Sequence, residues 1–238
     1  MGKVYAVGVG PGSSKYVTEI VKEIIQNCDI VIGYKYTLKT IENLIVGKEI
    51  YEITMSNQEE SYQKIIPKLD DKTLVIPFTG DVNFSESEVV DRLIEIFGEI
   101  EIIPGISSIQ VAASKAQVPL DKSKVITMHV TTPIEDKKLE LQKALIDGFS
   151  VILVPRPWPK QPDKHFMPSD IAVYLREHNF DTTKMKVHVF EAITTESETS
   201  FIGTVKDLEG KEFSDLSVMV FNQTSLDSYM NYRWQWEN

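Results

Sequence analysis

Val4-Tyr5-Ala6-Val7-Gly8-Val9-Gly10-Pro11-Gly12 is a short apolar run that stops in three glycines. A run of this length and composition, bounded by turn residues, reads as a strand buried on both faces. Behind it Val17, Ile20, Val21, Ile24 and Ile25 recur at the three-and-four spacing of one helix face. Strand, glycine turn and helix together open a β–α–β unit. The same order repeats outward. Residues 30–33 read as a second buried strand, followed by a helix over about 37–46, and residues 73–78 as a third strand running into Thr79-Gly80-Asp81. The next helix buries Val89, Val90, Leu93, Ile94 and Phe97, and Ser85 with Glu88 has the spacing of a capping box. A short strand over 99–103 meets Pro104-Gly105-Ile106-Ser107-Ser108, where a second box, Ser107 with Gln110, starts a small-residue helix through Ala112, Ala113 and Ala116. Strands alternating with helices imply right-handed crossovers and a mostly parallel sheet covered on both sides, so the first part of the chain is α/β.

The pattern breaks over residues 116–123 and a new series begins: a strand over 125–130, a helix capped by Thr132 and Glu135, and a strand over 151–154. A Pro-rich loop, a helix over about 169–178, a strand over 186–190, a Thr/Glu-rich turn and a strand over 217–221 complete it. We therefore expect two domains, 1–118 and 119–238. Tyr232, Trp234 and Trp236 alternate with polar residues at the end of the sequence and read as aromatic packing.

Composition narrows the function. Of 238 residues, 42% are hydrophobic and 25% charged, enough apolar material for a real core. The formal charge is -10 and both halves are acidic, a field that repels nucleic-acid backbones and anionic lipid. No stretch is long and apolar enough for a membrane span, and no signal-peptide pattern follows Met1-Gly2-Lys3. The lone cysteine, Cys28, excludes an intrachain disulfide, lies in an apolar stretch as a buried filler, and suits a reducing cytoplasm. With four scattered His there is no dense cluster of metal ligands, and we expect no metal site.

Glycines at a strand-to-helix turn suggest a nucleotide, but a dinucleotide fingerprint fails here. Gly8-Val9-Gly10-Pro11-Gly12 lacks the third glycine of G-x-G-x-x-G, Pro11 removes an amide donor, and the second strand ends without an acidic residue at Gly33-Tyr34-Lys35. More informative are three loops, each after an expected strand: residues 8–12, 79–81 and 104–108. In an open parallel sheet, loops outside the carboxyl ends of the strands line one crevice. One such loop alone is an ordinary turn; three together point to a polar ligand held closely by backbone.

These residues carry a family resemblance. Gly8–Gly12 with Thr18, Gly80-Asp81 with Phe84, Pro104-Gly105-Ile106-Ser107-Ser108, and Glu191 past a late strand resemble the tetrapyrrole (corrin and porphyrin) methylase family over nearly the whole chain. The run from Pro104 to Ala113 most resembles the branch that methylates carbon 5 of cobalt-precorrin-7 in anaerobic cobalamin synthesis. The resemblance implies an α/β fold of two α/β domains in tandem, with a mostly parallel sheet in the first and a mixed sheet in the second. It also implies S-adenosylmethionine in the cleft between them, S-adenosylhomocysteine as product, and a homodimer. A separate carbon-15 methylase and decarboxylase would be the partner protein. Cofactor contacts carried over from the family fall on Pro11, Thr79, Gly80, Asp81, Phe84, Ser107, Ser108, Val154, Pro155 and Ala192. Val82 stands where the family usually has Pro, and Pro155-Arg156-Pro157-Trp158-Pro159 is an unusual loop.

Positioning dominates methyl transfer from a sulfonium, so no catalytic base is assigned. Asp81 is a weak candidate that reads better as a partner of cofactor groups or loop amides. A corrinoid precursor carries several carboxylates. Arg156, Lys160 and Lys164, with His165 beside them, offer local positive charge, and Trp158 offers a flat face; the alternative is a solvated Pro-rich loop. Gly10 and Gly12 complete the substrate candidates, and His129 reads as a strand-end residue. Other readings stay open: a different ring carbon, uroporphyrinogen III, diphthine synthesis, or a non-catalytic nucleotide-binding protein.

Overall fold

The structure, a computed structural model, describes residues 2–84, 87–158, 161 and 164–223, with the backbone alone at Ser87 and Glu88. The chain divides into two compact units, Met1–Ser108 and Ile109–Asn238. The division falls in the first turn of a helix, ahead of the break in pattern at residue 118.

In the first unit, strands β1 (Val4–Gly8), β2 (Ile30–Tyr34), β3 (Glu49–Ile53), β4 (Leu74–Phe78) and β5 (Glu101–Ile103) pair in the order β3-β2-β4-β1-β5. Every pairing is parallel. Alternate residues of one strand enter opposite cores, which explains the unbroken apolar runs. Val7, Val31 and Val75 pack with Val21 and Ile25 of α1 (Glu19–Asn27) and with Leu38 of α2 (Lys35–Thr40). Ala6, Ile30, Ile32, Leu74 and Ile76 pack on the other side. Their partners are Tyr62 and Ile65 of α3 (Gln58–Ile65) and Leu93 and Phe97 of α4 (Ser87–Phe97). Pro77 has no N–H to give, and the β2–β4 ladder ends two residues before it at Val31↔Val75. The chain leaves β1 toward β2 on one side and leaves β4 toward β5 on the other. The strand order therefore reverses between β1 and β4, and the carboxyl ends of those neighbours are the natural place for a ligand in an open sheet.

The second unit opens with α5 (Ser108–Ala116), whose first residue belongs to the preceding unit. Then follow β6 (Ser123–Thr127), α6 (Glu135–Ile146), β7 (Ser150–Val154), a ribbon of β8 (Arg156–Pro157) and β9 (His165–Phe166), α7 (Pro168–Glu177), β10 (Lys186–Glu191), β11 (Thr199–Thr204) and β12 (Ser217–Phe221). The sheet order is β11-β10-β12-β7-β6, with β6 and β7 parallel and the other pairs antiparallel. Leu141 and Leu145 of α6 and Ile171 and Leu175 of α7 cover one face, against Ile126, Leu153, Val189, Met219 and Phe221. The sheet is mixed, as the resemblance implies. Strands β6, β7 and β10 all point the same way, so their carboxyl ends share one edge.

Several expectations are corrected. The helix expected over 37–46 ends at Thr40 and gives way to turns. Strands β3 and β11 and helix α3 have no counterpart in the sequence reading. Thr132 does not cap α6: the helix starts at Glu135 with Ile134 ahead of it, so Glu135 lies one residue into the helix instead of at the third position a box requires. Arg156–Pro157 and His165–Phe166, at the two ends of the Pro-rich loop, pair as the β8–β9 ribbon. Ser107 does directly precede α5, the position its box needs. Ser85 and the aromatic tail lie outside the described residues.

Candidate functional site

The three glycine loops of the first unit meet. Gly10 and Gly80 form an isolated antiparallel bridge, the Gly80 N–H donating to the Gly10 carbonyl at 2.8 Å and the Gly10 N–H to the Gly80 carbonyl at 3.3 Å. Both have positive φ, 82° and 73°. The third loop packs onto the first two so tightly that a Cβ on Gly105 would lie 2.3 Å from the Gly80 carbonyl oxygen and 2.5 Å from that of Gly8. The glycine pattern alone suggests a close approach of backbone to ligand. In the structure, at Gly8 and Gly105, it is between backbone and backbone, and it is what fuses the loops into one surface.

Asp81 fastens them. Its Oδ2 accepts from the Gly105 N–H at 2.8 Å and its Oδ1 from the Asn83 N–H at 2.8 Å. Both oxygens are engaged by loop amides. Around this knot Pro11 and Ser107 are buried, Asp81, Phe84 and Ser108 half-buried, and Thr79 exposed. Thr18, immediately ahead of α1, has a buried hydroxyl with no hydrogen-bond partner among the described residues. An orphaned buried hydroxyl is a group for which a ligand would supply the missing partner.

The candidates of the second unit gather on the edge shared by β6, β7 and β10. Val154 ends β7, and its carbonyl accepts from the Met128 N–H at 2.8 Å, bringing the loop after β6 against Pro155. Arg156 departs from expectation. It is 2% exposed, and its Nη2 donates to the carbonyls of Thr131 at 3.2 Å and Thr132 at 2.8 Å. Its guanidinium lies 5.7 Å from the Trp158 ring centroid, so its charge fastens the loops after β6 and β7 and faces inward. Lys160 lies outside the described residues. Trp158 also meets His129 edge to face at 4.9 Å between centroids. Burial pulls the His129 ring below its ordinary value of 6.5, with the charge of Asp215 opposing, so the imidazole is neutral near pH 7.

Beyond β10, Ala192 and Thr194 both have left-handed backbones, φ 44° and 71°. The Ala192 N–H donates to the Leu216 carbonyl at 3.1 Å, and the Thr194 N–H to Oε2 of Glu198 at 2.7 Å. Oε1 of Glu198 is 2.7 Å from Nζ of Lys115. Of these residues only Ala192 is a candidate from the sequence; Thr194, Glu198, Lys115 and Asp215 are not. The Thr/Glu-rich composition of the turn was the one available signal, because neither Ala nor Thr advertises a positive φ. Among the described residues no group of three or more His, Cys, Asp or Glu could hold a metal ion.

Two α/β units in tandem, with glycine loops fused at the switch point of a parallel sheet and a strained turn on the edge of a mixed one, define the class of protein. The chain belongs to the Tetrapyrrole (Corrin/Porphyrin) Methylases, whose family model matches residues 3–209. It is 30% identical over 224 residues to a "Probable cobalt-precorrin-7 C(5)-methyltransferase" of Methanocaldococcus jannaschii, covering 92% of this chain and 97% of that one. A cobalt-precorrin-4 C(11)-methyltransferase of the same organism is 31% identical over 137 residues, 55% of this chain and 53% of that one. Among solved structures, the methyltransferase CobJ superposes with a TM-score of 0.75 at 18% identity, covering 94% and 95% of the two chains. The protein is therefore a methyltransferase of this family, and no helix among the described residues is long and apolar enough to cross a membrane.

Proposed function

We propose that this enzyme transfers the methyl group of S-adenosylmethionine to carbon 5 of cobalt-precorrin-7. The observation that carries the reading is the extent of likeness: the carbon-5 relative matches over nearly all of both chains, whereas the carbon-11 relative matches about half of each.

The residues present fit a sulfonium nucleoside. The first unit offers the fused bend of its three loops, in which Pro11, Gly80 and Ser107 are buried, Phe84 and Ser108 half-buried and Thr79 exposed, together with the buried Thr18 hydroxyl that has no hydrogen-bond partner among the described residues. In the second unit the candidates are Val154, Pro155 and Ala192, at the carboxyl ends of β7 and β10. Backbone carbonyls suit a cation that loses its charge as the methyl leaves, because a fixed carboxylate nearby would hold the ground state more tightly than the transition state. Asp81, held by two amides, keeps the loops in register and is not the base. S-adenosylmethionine, when bound, supplies an electrophilic methyl group; the acceptor carbon loses a proton as the new bond forms. A Cβ on Gly10 would meet Tyr16 at 3.0 Å, so that glycine serves the packing of its own loop, and the aromatic face for the flat corrinoid is Trp158, with the Arg156 guanidinium 5.7 Å from its ring centroid.

The test is incubation of the purified protein with S-adenosylmethionine and either cobalt-precorrin-7 or cobalt-precorrin-4. A mass gain of one CH2 group on the first alone, placed at carbon 5 by NMR, is expected. Transfer to the second alone would move the assignment to another ring carbon. Absence of S-adenosylmethionine binding in calorimetry would remove the cofactor assignment.

A further inference from the structure

Among the described residues four that are not glycine have positive φ: Gln117, Asn179, Ala192 and Thr194. Gln117 and Asn179 come just after the last turns of α5 and α7, the place where a left-handed residue commonly ends a helix. Ala192 and Thr194 have no helix to end. A β-branched residue at φ 71° is a true outlier, since its side chain crowds the neighbouring carbonyl. Such a conformation persists only where its surroundings over-determine it, and such places cluster at ligand clamps.

Resting on the reading of Ala192 as a cofactor contact, we propose that Glu198 and Lys115 are positioning residues that lock the Ala192–Thr194 turn in its strained, binding-competent form. The turn ties itself at one end, where the Thr195 N–H and Oγ1 both donate to the Ala192 carbonyl, at 3.1 and 2.7 Å. Its base is anchored through Glu191, whose Oε1 accepts from the Ser214 N–H at 2.6 Å and whose Oε2 accepts from Thr199 Oγ1 at 2.9 Å. The strained residue itself is held from outside. The Glu198 carboxylate takes the Thr194 N–H with one oxygen and the Lys115 ammonium with the other, so Lys115 fixes the carboxylate and the carboxylate fixes φ at Thr194. Burial pushes the Glu198 carboxyl up, but the Lys115 hydrogen bond, the Thr194 amide and the Lys115 charge outweigh it and leave the group below its ordinary value. The carboxylate is charged, and the lock closed, throughout the neutral range.

A double-mutant cycle of Glu198→Ala and Thr194→Gly tests this with two readouts, the urea midpoint and the calorimetric Kd for S-adenosylhomocysteine. Without Glu198 the turn relaxes and its competent fraction falls, so the single variant binds about tenfold more weakly. Glycine takes φ 71° without strain, so Thr194→Gly alone stays within about twofold of the parent and, added to Glu198→Ala, recovers most of the lost affinity. Lys115→Met, a milder change at the surface, weakens binding in the same direction by less. Unchanged affinity in Glu198→Ala, or a loss that glycine does not rescue, overturns the proposal. Additive urea midpoints overturn it too, whether or not the ligand binds. If the parent itself fails to bind S-adenosylhomocysteine, the cofactor reading falls, and the urea cycle still decides whether Glu198 holds the turn.

Discussion

At Gly105 the atoms that would crowd an added methyl group are carbonyl oxygens of two neighbouring loops, and backbone cannot swing aside as a side chain can. Gly105→Ala is therefore expected to lose about 3 kcal/mol or more, the upper range for overpacking, and to weaken cofactor binding because the three-loop surface must open. Gly98→Ala is the matched control. It has φ 79° but nothing within 4 Å of the added atom, so only backbone strain of about 1–2 kcal/mol remains. Urea unfolding of the two variants separates space from strain, and equal losses would contradict the packing account. Asp81 gives a second residue-scale prediction. Asp81→Ala leaves the Gly105 and Asn83 N–H groups without their acceptors, at about 1–3 kcal/mol, and loosens the third loop from the second. If Asp81 were instead a proton acceptor in the reaction, the variant would keep its stability and lose only turnover.

Elements were readable from the sequence in proportion to how deeply they are buried. Central strands β1, β2 and β4 announce themselves as apolar runs because both faces enter a core. Strands β3 and β11 each form one edge of a sheet, are largely solvated and rich in Glu, Thr and Ser, and their patterns are too weak to stand out. The three loops were legible as glycine clusters, but their mutual contact was not, because backbone packed on backbone leaves the same residues as backbone packed on ligand. Arg156 shows the same limit with charge: a sequence displays a cation and says nothing of where it faces. Its place at the start of the β8–β9 ribbon makes the ribbon the unit to test. Lysine cannot span the Thr131 and Thr132 carbonyls in the same planar geometry or stack equally on Trp158. Arg156→Lys should lower stability by about 1–3 kcal/mol and raise KM for the corrinoid more than it lowers kcat, since it loosens the Trp158 face. An unchanged KM would take the ribbon out of substrate binding.

For the whole molecule, two opposing effects decide how stability responds to acid. The chain carries a formal charge of -10, so protonation toward its pI near 5.0 relieves self-repulsion and favours the compact state. Against this stand two half-buried histidines. Burial lowers the His129 ring, opposed by Asp215, and burial alone lowers His188, whose Nδ1 is buried without a hydrogen-bond partner among the described residues. A histidine depressed on folding binds its proton more readily in the unfolded chain. The unfolded state therefore gains protons first as pH falls below 6.5, and stability present above that value is lost as pH falls toward the folded values. One fully differential proton would give a slope of about 1.4 kcal/mol per pH unit, and each partly solvated ring gives a fraction of it. The charge effect is spread over the surface and screened within about 8 Å at physiological salt, whereas the histidine effect is local and survives salt. At moderate ionic strength the histidines should win, and the urea midpoint should fall from pH 7 to pH 5.5. His188 lies in register with Ile202 and Val220, so valine fits the same sheet position, and His129→Asn with His188→Val should flatten that slope. A slope that persists undiminished in the double variant would place its origin in groups other than these two rings.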